Sequence, residues 1–163
     1  KKFITYNDVH RIVADTAAVI EQSSFNPDTI VAIGGGGYIP ARMLRSLFDV
    51  ILTIRNISKE TIKSVSLELY DDTVNKPTDT VKVKQWLDES DVNGKHLLVV
   101  DEVDDTRSTL HFCVEKLKHF KPASVAVFVV YNKQKPKRHA AHWDEKEAEK
   151  DNVTLDHYFP GKN

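Results

Sequence analysis

LLVVDEVDDTRST, Leu97 to Thr109, is the stretch that decides how this chain folds. Its apolar lead-in, His96–Val100, follows the turn residues Asn93 and Gly94 and predicts a buried strand. Beyond it Asp101, Glu102, Asp104 and Asp105 crowd into five positions. Four such carboxylates repel one another, and a strand-to-helix turn forms without them. A helix cap at Asp104 or Asp105 is the ordinary alternative. One cap leaves the other carboxylates unexplained, and with them the hydroxyls of Thr106, Ser108 and Thr109. From about Thr106 to His119 a helix is predicted, with Leu110, Cys113, Val114 and Leu117 on one face. The start of a helix offers free N–H groups and a positive dipole end to a phosphate, and the hydroxyls add donors. The carboxylates just before it can accept from sugar hydroxyls or hold a hydrated Mg2+. Together they suit a ribose phosphate.

Outward from this segment the same alternation repeats. Asn7 to about Ser23 carries Val9, Ile12, Val13, Ala17 and Ile20 at helical spacing, with Asn7 as cap. Thr29–Ile33 predicts a buried strand running into Gly34–Gly37. Pro40 then suits the first turn of a helix that faces Met43, Leu44 and Leu47 inward. Val50–Ile54, Ile62–Leu69 and Ser124–Val130 are further strand candidates, and Tyr70–Thr80, broken by Pro77, reads as a polar loop. Continuously apolar strands alternating with helices predict a single α/β domain over residues 1–163, with a parallel twisted sheet covered by helices on both faces. In such sheets ligands bind beyond the carboxyl ends of the strands. Here one strand end meets glycines and another meets carboxylates.

Composition narrows the partners. With 40% hydrophobic and 29% charged residues the chain is ordinary for a folded domain, and a net charge of −1 gives no reason to expect nucleic acid or a membrane. The lone cysteine, Cys113, sits on an apolar helix face, reads as packing and fits a reducing cytoplasm. No apolar run approaches the ~20 residues that span a bilayer, and Lys1–Asp8 lacks a signal-peptide core. The chain has no initiating Met, so the expectation is of an incomplete N-terminus. Gly34 or Gly35 as the start of a dinucleotide fingerprint fails at Ile39 or Pro40, and a Walker lysine is missing. A phosphoacceptor pocket at Asp101 would leave the hydroxyl run unexplained. His139 and His142 are too few for a metal site.

Four hydrophobic residues, two acidic residues, a spacer and then Asp-Thr with further hydroxyls resemble the phosphoribosyl pyrophosphate (PRPP) signature of the type I phosphoribosyltransferases. More narrowly, AIGGGGYIPARMLR, LYDD, VVDEVDDTRSTLH and NKQKPK are similar to the fungal and archaeal 6-oxopurine enzymes, over roughly Phe3–Lys137. The resemblance implies transfer of phosphoribose from PRPP to hypoxanthine, xanthine or guanine, releasing pyrophosphate, in a cytoplasmic homodimer or tetramer. By it Asp101 and Glu102 contact the ribose hydroxyls and Mg2+. Asp105 is the general base toward purine N7. Thr106, Arg107, Ser108 and Thr109 cradle the 5′-phosphate, and Asp104 falls within the same PRPP-binding group. Gly34, Gly35 and Gly36 receive pyrophosphate, often with a cis peptide between the first two. Lys133 donates to the purine 6-oxo group, and Tyr70 and Asp71 belong to a lid.

Three departures stand out. Arg107 replaces a glycine common in the family and reads as an added cation near the phosphate. Gly35 replaces a frequent Lys or Arg. The family's Trp-rich C-terminal hood, which clamps the base, does not follow Trp143, so it is expected beyond Asn163. Adenine and orotate transferases share the PRPP loop, but a lysine facing the base favours a 6-oxo acceptor. A PRPP-sensing nucleic-acid regulator would carry a basic surface or an extra domain. Lys133–Arg138 is the sole basic cluster.

Overall fold

The computed structural model describes residues 3–55, 61–70, 80–138 and 155–163. Among them six strands form one sheet, β1 (Thr29–Gly34), β2 (Thr61–Tyr70), β3 (Thr80–Gln85), β4 (His96–Asp104), β5 (Ser124–Asn132) and β6 (His157–Lys162). Their spatial order is β3-β2-β1-β4-β5-β6. All neighbouring pairs are parallel except the β2–β3 hairpin. The sheet is therefore mostly parallel, as expected, with β3 as its antiparallel member among the described residues.

Helix α1 (Tyr6–Gln22) starts one residue earlier than its apolar spacing suggests, because Thr5, not Asn7, caps it. Thr5 Oγ1 accepts from the Asp8 amide while the Asp8 carboxylate accepts from the Thr5 amide at 2.9 Å, a reciprocal box. Helix α2 (Tyr38–Arg55) absorbs Val50–Ile54, which the sequence reading makes a strand. Ala41, Leu44 and Phe48 are buried at helical spacing just before it, and propagating a formed helix outweighs the β preference of a short branched run. Helix α3 (Ser108–Lys118) turns Leu110, Cys113, Val114 and Leu117 inward as expected.

Alternation along β4 divides the core. Leu98 and Val100 pack with α1 and α2 on one face, while Leu97 and Val99 pack with α3 on the other. Cys113 is fully buried, and burial pushes its thiol well above the ordinary range, so it is a packing residue. None of the described helices is long and apolar enough to cross a membrane.

Candidate active site

From the central pair β1 and β4 the chain winds outward in opposite directions, to β2 and β3 on one side and to β5 and β6 on the other. This switch point opens a crevice beyond the strands' carboxyl ends. Gly34–Gly37 follows β1, and Asp101–Thr109 spans the end of β4 and the start of α3. Ala32 pairs with Val100, so Gly34 and Glu102 lie at the same level two residues farther on. The two segments singled out from the sequence thus meet.

The glycine loop is shaped by what lies over it. A Cβ on Gly36 would overlap the Glu102 carboxylate, and one on Gly37 would overlap the backbone oxygens of Val100 and Ile33. At Gly35 the space is open. The Gly34–Gly35 peptide is cis, as the resemblance implies. Asp101 is buried and Glu102 exposed. Burial, and then the adjoining Glu102 carboxyl, push Asp101 up to about 9. Two neighbouring carboxylates, one of them costly to ionise alone, are a donor set that a hard cation satisfies. Among the described residues no group of three or more acidic, His or Cys side chains gathers for a metal. Mg2+ held by two carboxylates and completed by phosphate and water oxygens fits that arrangement.

Asp105 stands beyond this pair, half-buried. Its carboxylate accepts from Lys133 Nζ at 2.9 Å and also pairs with Lys135. The Lys135 ammonium, and then that of Lys133, hold Asp105 below the usual carboxylate range. Lys133 comes from the segment just after β5, 28 residues away, and the fold brings it to the one carboxylate expected to act as base. The N-cap residue of α3, Arg107, does not cap it with its own side chain. Thr106 and Ser108 lie there with their hydroxyl oxygens 3.2 Å apart, and Thr109 is half-buried beside them. A helix start set with hydroxyls suits an anion.

Asp104 and Arg107, both expected among the PRPP-binding residues, face each other. Both side chains are buried, and Arg107 donates from Nε and a terminal nitrogen to one Asp104 oxygen at 2.9 and 2.7 Å. Arg107 does adopt positive φ, 71°, as the glycine it replaces would. Its cation turns inward, onto the Asp104 carboxylate.

Three contributors escaped the sequence reading. Lys135 joins Lys133 on Asp105, and Lys137 donates to the carbonyls of Asp104 and Asp105 at 2.6 and 3.0 Å. Tyr158 of β6 donates to Asp104 Oδ2 at 2.9 Å. The crowding of acids was the available signal, since Lys133–Arg138 is the basic cluster that answers it among the described residues. Tyr70 ends β2, four residues past the level of Gly34, which pairs with Ser66. Asp71, His139, His142 and Trp143 lie outside the described residues.

A cavity of about 420 Å³ opens between the first turns of α1 and α2 and the ends of β4 and β5. Tyr6, Ile39, Val103 and Tyr131 give it apolar walls, with Glu102 and Lys133 at polar positions. A flat heteroaromatic ring fits such a space.

The comparisons with known proteins agree with this geometry. The model of the phosphoribosyl transferase domain matches residues 5–158. The hypoxanthine-guanine phosphoribosyltransferase of Schizosaccharomyces pombe is 38% identical, covering 99% of this chain and 82% of that one. Xanthine phosphoribosyltransferase 1 of Saccharomyces cerevisiae is 35% identical over 85% of this chain and 76% of its own length. A hypothetical protein from Neisseria gonorrhoeae, solved with bound ppGpp, superposes with a TM-score of 0.77 at 34% identity, covering 99% of this chain and 82% of that one. The chain thus belongs to the phosphoribosyltransferase family.

Proposed function

We propose that this protein transfers the phosphoribosyl group of PRPP to a 6-oxopurine (hypoxanthine, xanthine or guanine), giving the purine nucleotide and pyrophosphate in cytoplasmic purine salvage. One contact carries the reading. Lys133 Nζ, which lines the cavity, and the Asp105 carboxylate meet at 2.9 Å, so a donor for the 6-oxo group and an acceptor for the N7 proton stand side by side. Adenine, with an amino group at that position, would present a donor to Lys133. The named relatives act on the same class of base, and the Neisseria protein holds a guanine nucleotide.

The base enters the cavity against Val103. Lys133 leaves Asp105 for the 6-oxo oxygen, and with one cation gone the carboxylate takes up a proton more readily. A bond forms from the purine nitrogen to the anomeric carbon as the bond to pyrophosphate breaks. The proton displaced at N7 passes to Asp105, a contribution of roughly 10²–10⁴ in rate. Thr106, Ser108, Thr109 and the start of α3 hold the 5′-phosphate, and the amides of Gly34–Gly37 face the pyrophosphate. Asp101 and Glu102 bind the ribose hydroxyls and would hold Mg2+. When bound, that ion neutralises charge on the pyrophosphate leaving group.

The test is nucleotide formation from PRPP and Mg2+ with each base in turn. Turnover with at least one 6-oxopurine, well above that with adenine or orotate, is expected. Activity with adenine or orotate alone would reject the acceptor assignment, and activity with none would reject the reading.

A further inference from the structure

We propose that Arg107 and Tyr158 are positioning residues for the phosphate-binding turn, acting through Asp104 without touching PRPP. The inference rests on the reading that Thr106–Thr109 seats the 5′-phosphate.

Arg107 is the residue whose backbone sets the entry into α3, at φ 71° and ψ −4°. A side chain disfavours that left-handed conformation, so something must hold it. The Asp104 carboxylate does so. Its Oδ2 receives both Arg107 nitrogens and, at 2.9 Å, the Tyr158 hydroxyl. Asp104 is 0% and Arg107 2% exposed. The guanidinium also lies 5.2 Å from the Tyr158 ring centroid.

Tyr158 stands on β6, two strands from β4 and 54 residues along the chain. Its hydroxyl therefore ties the sheet's edge to the site. The backbone around Asp104 is pinned as well. Its carbonyl accepts from the Lys133 amide at 3.0 Å and from Lys137 Nζ, while the Arg138 amide donates to the Thr106 carbonyl at 3.1 Å. The turn that presents its N–H groups to phosphate is thereby fixed from behind. Swinging Arg107 outward to bind phosphate would take the bidentate cation from a buried carboxylate and leave it to Lys137, 3.4 Å from Oδ1, and the Tyr158 hydroxyl, which is unfavourable.

The experiment measures PRPP dissociation constants, KM for PRPP, kcat and melting temperature for the full chain and for Tyr158→Phe and Arg107→Lys. Tyr158→Phe keeps the ring and removes one donor. Its Kd and KM for PRPP should rise about three- to tenfold, the effect of one hydrogen bond to a charged group, with kcat within about twofold. Arg107→Lys keeps the charge but loses the two-nitrogen fork, so it should weaken PRPP binding to at least that extent. If Arg107 instead waited behind Asp104 to grasp the phosphate, Tyr158→Phe would release it and lower Kd, the opposite sign. A lowered melting temperature with unchanged PRPP binding would also overturn the proposal, leaving a merely structural brace. Wild-type protein that binds PRPP without turnover would count against the transferase reading while Kd still judges the brace. Failure of the wild type to bind PRPP would sink both.

Discussion

Gly36 lies directly beneath the Glu102 carboxylate, so the glycine loop after β1 and the acidic end of β4 are in contact. Gly37, one position on, is covered instead by the backbone carbonyls of Val100 and Ile33. The two glycines should therefore fail differently. In Gly36→Ala the exposed Glu102 side chain swings aside, leaving stability within about 0.5 kcal/mol while KM for PRPP rises. In Gly37→Ala no backbone atom can step away, and about 1–3 kcal/mol of stability is lost to overpacking. Urea unfolding and PRPP kinetics on the two variants distinguish these outcomes. Equal loss of stability in both would contradict the contact.

Gly35 offers the converse case. The family resemblance implies a cation there, and here a Cβ meets nothing within 4 Å. Gly35→Lys should fold normally and lower KM for PRPP severalfold at low ionic strength, with the gain shrinking as salt screens it. Kinetics at two salt concentrations check this.

The Asp101 carboxyl is pushed up to about 9 by burial and by Glu102. Between its ordinary value near 3.8 and that value the folded chain keeps a proton that the unfolded chain has released. Stability from this group is thus full at low pH and declines as pH rises toward 9. Asp101→Asn removes the titration. In Mg2+-free buffer it should be more stable than wild type by roughly 1–3 kcal/mol at pH 8, the gap closing toward pH 4. Its turnover should fall. Denaturation series at three pH values measure the slope, and parallel curves for the two proteins would count against it.

Much of this site was legible locally. The apolar run of β4, the hydroxyls of Thr106–Thr109 and the glycines after β1 each signal themselves within ten residues. What escaped depends on partners far along the chain. The burial of Asp104 requires Tyr158, 54 residues later, and no local pattern announces it. Strand β6 hides behind Pro160 and Gly161, which an edge strand tolerates. Strand β3, TVKVKQ, alternates apolar and charged residues and pairs antiparallel, so it lacks the continuous apolar signature of its parallel neighbours. Val50–Ile54 misleads for the reverse reason, since its branched residues continue a helix already paid for by Ala41, Leu44 and Phe48.

Lys135 should tune the base. With Lys133 it holds Asp105 below the usual carboxylate range, and removing a cation lets that value rise. Catalysis needs the ionised form, so the acid limb of kcat/KM moves to higher pH in Lys135→Gln. Asp105 is 39% exposed, which limits the shift to about one unit at most. A pH–rate profile reads it directly, and a shift toward lower pH would contradict the pairing.

The most direct test of the whole account is Asp105→Asn, examined for PRPP binding and for turnover side by side. Asp101, Glu102 and the Thr106–Thr109 turn remain, so the PRPP dissociation constant should stay within a few-fold of wild type. The proton acceptor is gone, so kcat should fall by about 10²–10⁴. Turnover at the wild-type rate would show that Asp105 is not the base, and loss of PRPP binding in step with turnover would deny the division of this acidic turn into a donor-binding part and a catalytic one.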